Sequence, residues 1–318
     1  MRRISDAVLD RAAGCLAGQF CGDAFGAQYE FMSPEQISEV MNGDCSMRPS
    51  SVWGTAAGQI TDDSEMAVVL AKSLIEGFGY SALLTVNGYI DWLNSRPFDI
   101  GGTVHKALSS RGLNKNVQSK ANGALMRVSP IGVCYAHDYV TAGNVAIMDA
   151  ELTHPNNVCR MANMALARGI AYAIKTGGAP EAICGHMMDC HTAGMCDEPD
   201  VLDAIKNGMV SPPDSTMLQH SGYVLLALQN AVYRLTHADS ASSAIIDTVR
   251  MGGDTDTNAA IAGALVGAYR GFASFPTPWI KAVQECDTAA GLHPRREYQD
   301  WARDIVGLAK KLLLSTAA

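Results

Sequence analysis

The sequence predicts an all-α protein, and three observations carry that expectation. The hydrophobic fraction is 48% but the aromatic fraction only 7%, so small and aliphatic residues supply the core, a balance that suits closely approaching helices. Apolar residues recur at three- and four-residue steps through most of the chain. Gly and Pro gather in the intervening segments.

The stretch from Asp6 to Phe25 places Leu9, Ala13, Leu16, Ala17 and Phe20 at helical spacing and is rich in Ala and Gly, as a buried helix would be. Gly43 to Gly58, with Pro49 and Trp53, lacks that period and reads as a loop leading into Gln59-Ile60-Thr61. A helix is expected from about Ser64, with Met66, Val69, Leu70, Ser73 and Leu74 on one face. Further helices are expected at 81–94, 139–152, 157–175, 198–208, 217–236, 239–250, 258–271, 276–289 and 296–314. Pro97 to Gly102, Lys115 to Ser129, Thr153 to Asn157 and Met251 to Thr257 read as polar or Gly-punctuated breaks. No linker or fixed-period repeat divides the chain, so residues 1–318 are expected to form one compact multi-helix domain.

A formal net charge of −8 argues against a sequence-independent nucleic-acid binder, which needs a basic face to displace counterions. Met1-Arg2-Arg3 is followed by Ile4-Ser5-Asp6 and not by an apolar stretch, and no apolar run approaches twenty residues. The expectation is a cytoplasmic protein without membrane attachment. Nine cysteines, none in a Cys-x-x-Cys pair, indicate reduced thiols rather than a disulfide framework. Cys184, His186, Cys190, His191 and Cys196 lie close together, but their spacing matches no common zinc motif and ordinary packing is expected.

Two acidic clusters carry the chemistry. Thr61-Asp62-Asp63-Ser64-Glu65 sits where a helix begins, and alone it reads as a cap, with Glu65 three residues after Asp62. Gly252-Gly253-Asp254-Thr255-Asp256-Thr257-Asn258 again precedes an apolar helix. Residues two apart point about 200° from each other on a helix, so Asp254 and Asp256 are expected on the turn, where the glycines give access to unusual dihedrals. Two such turns meeting in space would crowd their carboxylates unless protons or cations neutralise them. Oxygen-only ligands select magnesium, calcium or manganese over zinc. No EF-hand loop pattern is present, which weakens a calcium-binding module.

The sequence resembles the ADP-ribosylglycohydrolase family over nearly its whole length. The resemblance rests on Gly22-Asp23-Ala24-Phe25-Gly26 with Glu30, Thr61-Asp62-Asp63, Asp99-Ile100-Gly101-Gly102-Thr103, Asn122 to Arg127, Thr153-His154 and Gly252 to Thr257, in that order. It implies an orthogonal multi-helix fold with a binuclear magnesium or manganese centre held by Thr61, Asp62, Asp63, Asp254, Asp256 and Thr257. It implies that Glu30 gates the substrate and Asp99 assists catalysis, and that Gly101, Gly102 and Thr103 with Asn122, Gly123, Ala124, Leu125 and Met126 cradle the diphosphate and ribose. His154 matches a nucleotide contact, while Asn156 stands where many relatives carry a second histidine.

The resemblance further implies removal of ADP-ribose from mono-ADP-ribosylated protein, with arginine as the favoured linkage and ADP-ribose as product. Such an activity would counter an ADP-ribosylating enzyme or toxin. Hydrolysis of O-linked ADP-ribose or of an ADP-ribosylated small molecule is the close alternative. A retired immunity or crystallin-like protein on the same fold is disfavoured, because all four metal-site aspartates are present.

Overall fold

The computed structural model describes residues 4–113, 115–192, 198–214 and 222–316, with the backbone alone at 190–192. The first part of the chain forms α1 (Asp6–Gly26), α2 (Pro34–Met41), α3 (Asp62–Glu76), α4 (Ala82–Asn94), α5 (Gly102–Ser109), α6 (Ser129–Cys134), α7 (Tyr139–Ala150) and α8 (Asn157–Thr176). The second part forms α9 (Pro180–Thr192), α10 (Pro199–Gly208), α11 (Val224–His237), α12 (Ala241–Val249), α13 (Thr255–Arg270), α14 (Thr277–Gln284), α15 (Gln299–Ala302) and α16 (Ile305–Ser315). The protein is all-α, and the described residues hold no strand, only an isolated bridge between Ala121 and Tyr223.

Helices α1 and α13, both largely buried, run antiparallel at very short range. Gly14, Gly18, Gly22 and Gly26 recur every four residues on α1, one turn apart, and so form a ridge without side chains. A Cβ on Gly18 would stand 1.9 Å from the Gly263 carbonyl oxygen, and one on Gly22 would stand 2.2 Å from that of Ala259. At Gly26 the same atom would lie 2.4 Å from the Cα of Asp256. The glycine ridge therefore brings the C-terminal end of α1 onto the first turn of α13. That junction is where the acidic residues meet.

Several sequence expectations require correction. Helices α2, α5, α6 and α9 are not among the expected ones. The first three are only 8, 8 and 6 residues long, too short for a periodic pattern to stand out. Helix α2 depends on a capping box, in which Ser33 and Gln36 satisfy each other's backbone N–H groups. The expected helix at 296–314 divides into α15 and α16, because the Asp304 carboxylate caps a new start by accepting from the Gly307 N–H. The start of the expected 217–236 helix lies outside the described residues, as do Cys196 and the side chains of Cys190 and His191. Cys184 packs into the core, and the described cysteines are free thiols. No helix among the described residues is long and apolar enough to cross a membrane.

Candidate active site

Both acidic clusters sit at helix starts, and these helices begin two to three residues earlier than the periodicity suggested. Helix α3 begins at Asp62 with Thr61 as its N-cap residue, and α13 begins at Thr255 with Asp254 as N-cap. Asp256 is thus already helical, while Asp254 keeps non-helical dihedrals, which is how residues two apart come to face one cavity. Gly252 and Gly253 adopt φ of +75° and +76°, a region open to glycine, and set the direction of that N-cap. Neither Thr61 nor Asp254 caps its helix through its side chain, so the oxygens are left for other partners.

Glu65 is not part of a capping box either. Its carboxylate accepts from the indole of Trp92 at 2.8 Å and from Nε of Arg296 at 2.8 Å, a buried structural network. Arg127 likewise pairs with Asp149 at 2.9 Å inside the core.

Carboxylate oxygens of Glu30, Asp254 and Asp256 lie within 4.8 Å of one another. Glu30 reaches them because the chain after α1 turns back along the glycine turn: Phe31 N–H donates to Gly253 O and Gly253 N–H donates to Met32 O. The Trp53 indole N–H donates to Glu30 Oε2 at 2.5 Å, and Asn122 Nδ2 donates to Asp254 Oδ2 at 2.8 Å. Thr61 Oγ1 lies 3.1 Å from Asp63 Oδ2, and Asp63 Oδ1 is buried without a hydrogen-bond partner.

Such crowding acts on protonation. Burial, then the charges of Asp99 and Asp254, push the Glu30 carboxyl up to about 8. Burial raises Asp99 to about 6, against the opposing effect of its hydrogen bond with Asp62. Asp62, Asp63 and Asp256 all stand well above the ordinary carboxylate range, first through burial and then through their acidic neighbours. A set of oxygen donors that repel one another and include an orphaned buried oxygen fits hard divalent cations.

These residues open onto a cavity of about 300 Å³ that also reaches Gly101, Gly102, Thr103, Asn122, Gly123 and His154. Gly101 caps α5, and a Cβ on Gly101 or Gly102 would meet nothing within 4 Å, so the space above them is free for a ligand. His154 is held by Thr153 Oγ1 at 2.8 Å on Nδ1, while its buried Nε2 has no partner. Burial drives its pKa down to about 3, so the ring is neutral.

The ADP-ribosylglycohydrolase family model matches residues 4–316. The chain belongs to the ADP-ribosylglycohydrolase family. It is 28% identical over 282 residues to the ADP-ribosyl-[dinitrogen reductase] glycohydrolase of Rhodospirillum rubrum, covering 87% of this chain and 91% of that protein. It is 25% identical over 291 residues to the ADP-ribosylarginine hydrolase Tri1 of Pseudomonas putida (strain GB-1), covering 86% and 74%. Against the human ADP-ribosylhydrolase ARH3 the identity is 27% over 338 residues, covering 87% and 90%. A solved ADP-ribosylglycohydrolase-related protein complex superposes with a TM-score of 0.80 at 24% identity, over 98% of this chain and 100% of that one, a likeness of fold.

Of the residues expected from the resemblance to this ADP-ribosylglycohydrolase family, Glu30, Asp62, Asp99, Gly101, Gly102, Thr103, Asn122, Gly123, Met126, His154, Asp254, Asp256 and Thr257 line the cavity. Thr61 and Asp63 are buried and are not among the residues lining it. Ala124 and Leu125 are buried core residues and are not among those lining it. Asn156 instead caps α8, accepting from Val158 N–H and donating to Val117 O.

Sequence reasoning left Asp23 outside the site. Its fully buried carboxylate receives hydrogen bonds from Thr61 and Ser64, and burial raises its pKa to about 7. The available signal was a carboxylate set in a run of small residues, which has no place in a core without hydrogen-bond donors nearby.

Proposed function

We propose that the protein is a metal-dependent hydrolase that removes ADP-ribose from mono-ADP-ribosylated protein, with arginine the favoured linkage, acting in the cytoplasm as one domain. The observation that carries this reading is the joining, in one cavity, of the carboxylate cluster with the small-residue segments at Gly101-Gly102 and Gly123. Family membership supports the ADP-ribosyl hydrolase class. The relatives named for dinitrogen reductase and for ADP-ribosylarginine support a protein substrate and an arginine linkage.

Thr61, Asp62, Asp63, Asp254, Asp256 and Thr257 would hold two magnesium ions, with manganese as the alternative. When bound, such ions neutralise the carboxylates, orient ribose hydroxyls and lower the pKa of a water.

The bond to be broken joins the anomeric carbon to a guanidinium nitrogen, and its cleavage develops oxocarbenium character. The leaving guanidine gains a proton and the attacking water loses one. Glu30 and Asp99 are assigned to these transfers, because both face the cavity and burial moves both towards neutral pH. Gly101, Gly102 and the start of α5 present backbone N–H groups to the diphosphate, and Asn122 and Gly123 flank the ribose side. His154 Nε2, neutral and unpartnered, is available to the nucleotide.

Incubation with arginine-, serine- and cysteine-linked ADP-ribosyl substrates, with and without magnesium, tests the reading through release of free ADP-ribose. Release from the arginine-linked substrate in magnesium is expected. No release from any of them would overturn it.

A further inference from the structure

Beside Glu30 the cavity wall carries an aromatic ring that packing does not require. Phe31 lines the cavity, is 66% exposed and holds φ of +64°, a conformation that phenylalanine rarely adopts. An exposed ring in a left-handed turn gains little from burial and carries a backbone penalty, a combination that points to a role in contact with something else.

Phe31 is also the first of a continuous ridge. Its ring centroid lies 6.2 Å from that of Trp53, which lies 6.2 Å from Phe98, which in turn stacks on His293 at 4.5 Å. Each ring is tied to a carboxylate or to its neighbour. Trp53 holds Glu30 through its indole N–H, Phe98 directly precedes Asp99, and His293 Nε2 is hydrogen-bonded to the Trp53 carbonyl. The ridge therefore follows the two acids assigned above to the proton transfers.

Ring faces alone would accept any apolar group, and carboxylates alone would accept any cation. Together they select a planar cation, since a guanidinium stacks its face on an aromatic ring while its edge donates hydrogen bonds to carboxylates. A serine oxygen offers neither charge nor plane. We propose that Phe31, backed by Trp53 and Phe98, is a specificity-determining platform that stacks on the guanidinium plane of an ADP-ribosylated arginine within reach of Glu30 and Asp99. This rests on the hydrolase reading given under Proposed function.

The test compares wild type, Phe31→Leu and Phe31→Tyr on ADP-ribosylarginine and ADP-ribosylserine in magnesium, with ADP-ribose affinity measured by calorimetry. Leucine keeps apolar bulk but removes the ring face, so the arginine-to-serine ratio of kcat/KM should fall roughly tenfold, the scale of one cation–π contact. Tyrosine should keep that ratio within about twofold, since it retains the ring face. ADP-ribose, which lacks the leaving group, should bind all three proteins alike. An unchanged ratio in Phe31→Leu overturns the platform while the hydrolase reading stands. Equal losses on both substrates together with weaker ADP-ribose binding mark a structural role and overturn it too. Wild type inactive on both substrates defeats the hydrolase reading and the platform with it.

Discussion

Asp23 accepts hydrogen bonds from the Thr61 hydroxyl at 2.9 Å and the Thr61 backbone N–H at 3.1 Å, and a third from Ser64 N–H at 3.1 Å. A carboxylate on α1 thus fixes the turn that starts α3 and presents Asp62 and Asp63. Asp23→Ala should leave two backbone N–H groups buried without partners, destabilising the fold by about 1–3 kcal/mol for each unsatisfied group. It should also weaken magnesium binding, because the α3 start loses its anchor. Chemical denaturation paired with a magnesium titration checks both. Stability lost with magnesium affinity intact would limit Asp23 to a structural role.

The relation between Asp23 and Thr61 also marks the limit of what the sequence discloses. Ala- and Gly-rich periodicity was enough to expect α1, and the paired acidic motifs were enough to expect helix starts near residues 64 and 258, within two to three residues of where they fall. Neither discloses that Gly26 lies against Asp256, since a glycine ridge records a close approach without recording its partner. Glu65 shows the opposite error. Its spacing after Asp62 suggests a local cap, whereas its partners Arg296 and Trp92 lie far along the chain, where local pattern carries no information. Ala124 and Leu125 show a third limit, because a motif names consecutive residues while only some of them face the cavity.

Without cations, stability should fall as pH rises. Glu30, Asp23 and Asp99 are raised to about 8, 7 and 6 in the folded chain, above the ordinary carboxylate values that the unfolded chain shows. Between about pH 4 and 8 the folded state therefore binds more protons than the unfolded state, and each deprotonation there costs stability. Chelator-treated protein should show a Tm that decreases across this window. Magnesium should restore Tm most at the alkaline end, where it replaces the missing protons. A flat Tm profile in chelator, with no response to magnesium at pH 8, would argue against a cation centre.

Gly102 separates ligand space from packing. A Cβ there would meet nothing within 4 Å and its φ is not left-handed, so neither sterics nor backbone strain demands glycine. Gly102→Val should leave thermal stability within about 1 kcal/mol, with β-branching at a helix start the main cost. If the diphosphate lies over this backbone, ADP-ribose affinity should drop by ~10-fold or more, on the scale of overpacking by added methyl groups. Calorimetry with ADP-ribose decides between the two. Unchanged affinity would move the diphosphate elsewhere in the cavity.

Glu30 and Asp254 should play different parts, although the structure sets their carboxylates in one cluster with Asp256. Asp254 is the N-cap residue of α13 and is oriented by Asn122, as suits a fixed ligand. Glu30 lies on a turn and is oriented by Trp53, and its raised pKa suits proton transfer. Asp254→Asn removes charge from the proposed cation site, so its turnover should recover in part at high magnesium. Glu30→Gln should lower turnover by roughly 10²–10⁴-fold, the range for loss of general acid–base help, and excess magnesium should not restore it. Asn and Gln are close to isosteric with the residues they replace, so both variants should keep the helical circular dichroism of the wild type. Rate measurements across a magnesium titration, with affinity from calorimetry, separate the roles. If excess magnesium rescues Glu30→Gln and not Asp254→Asn, then Glu30 is the ligand and the proton chemistry belongs to Asp99.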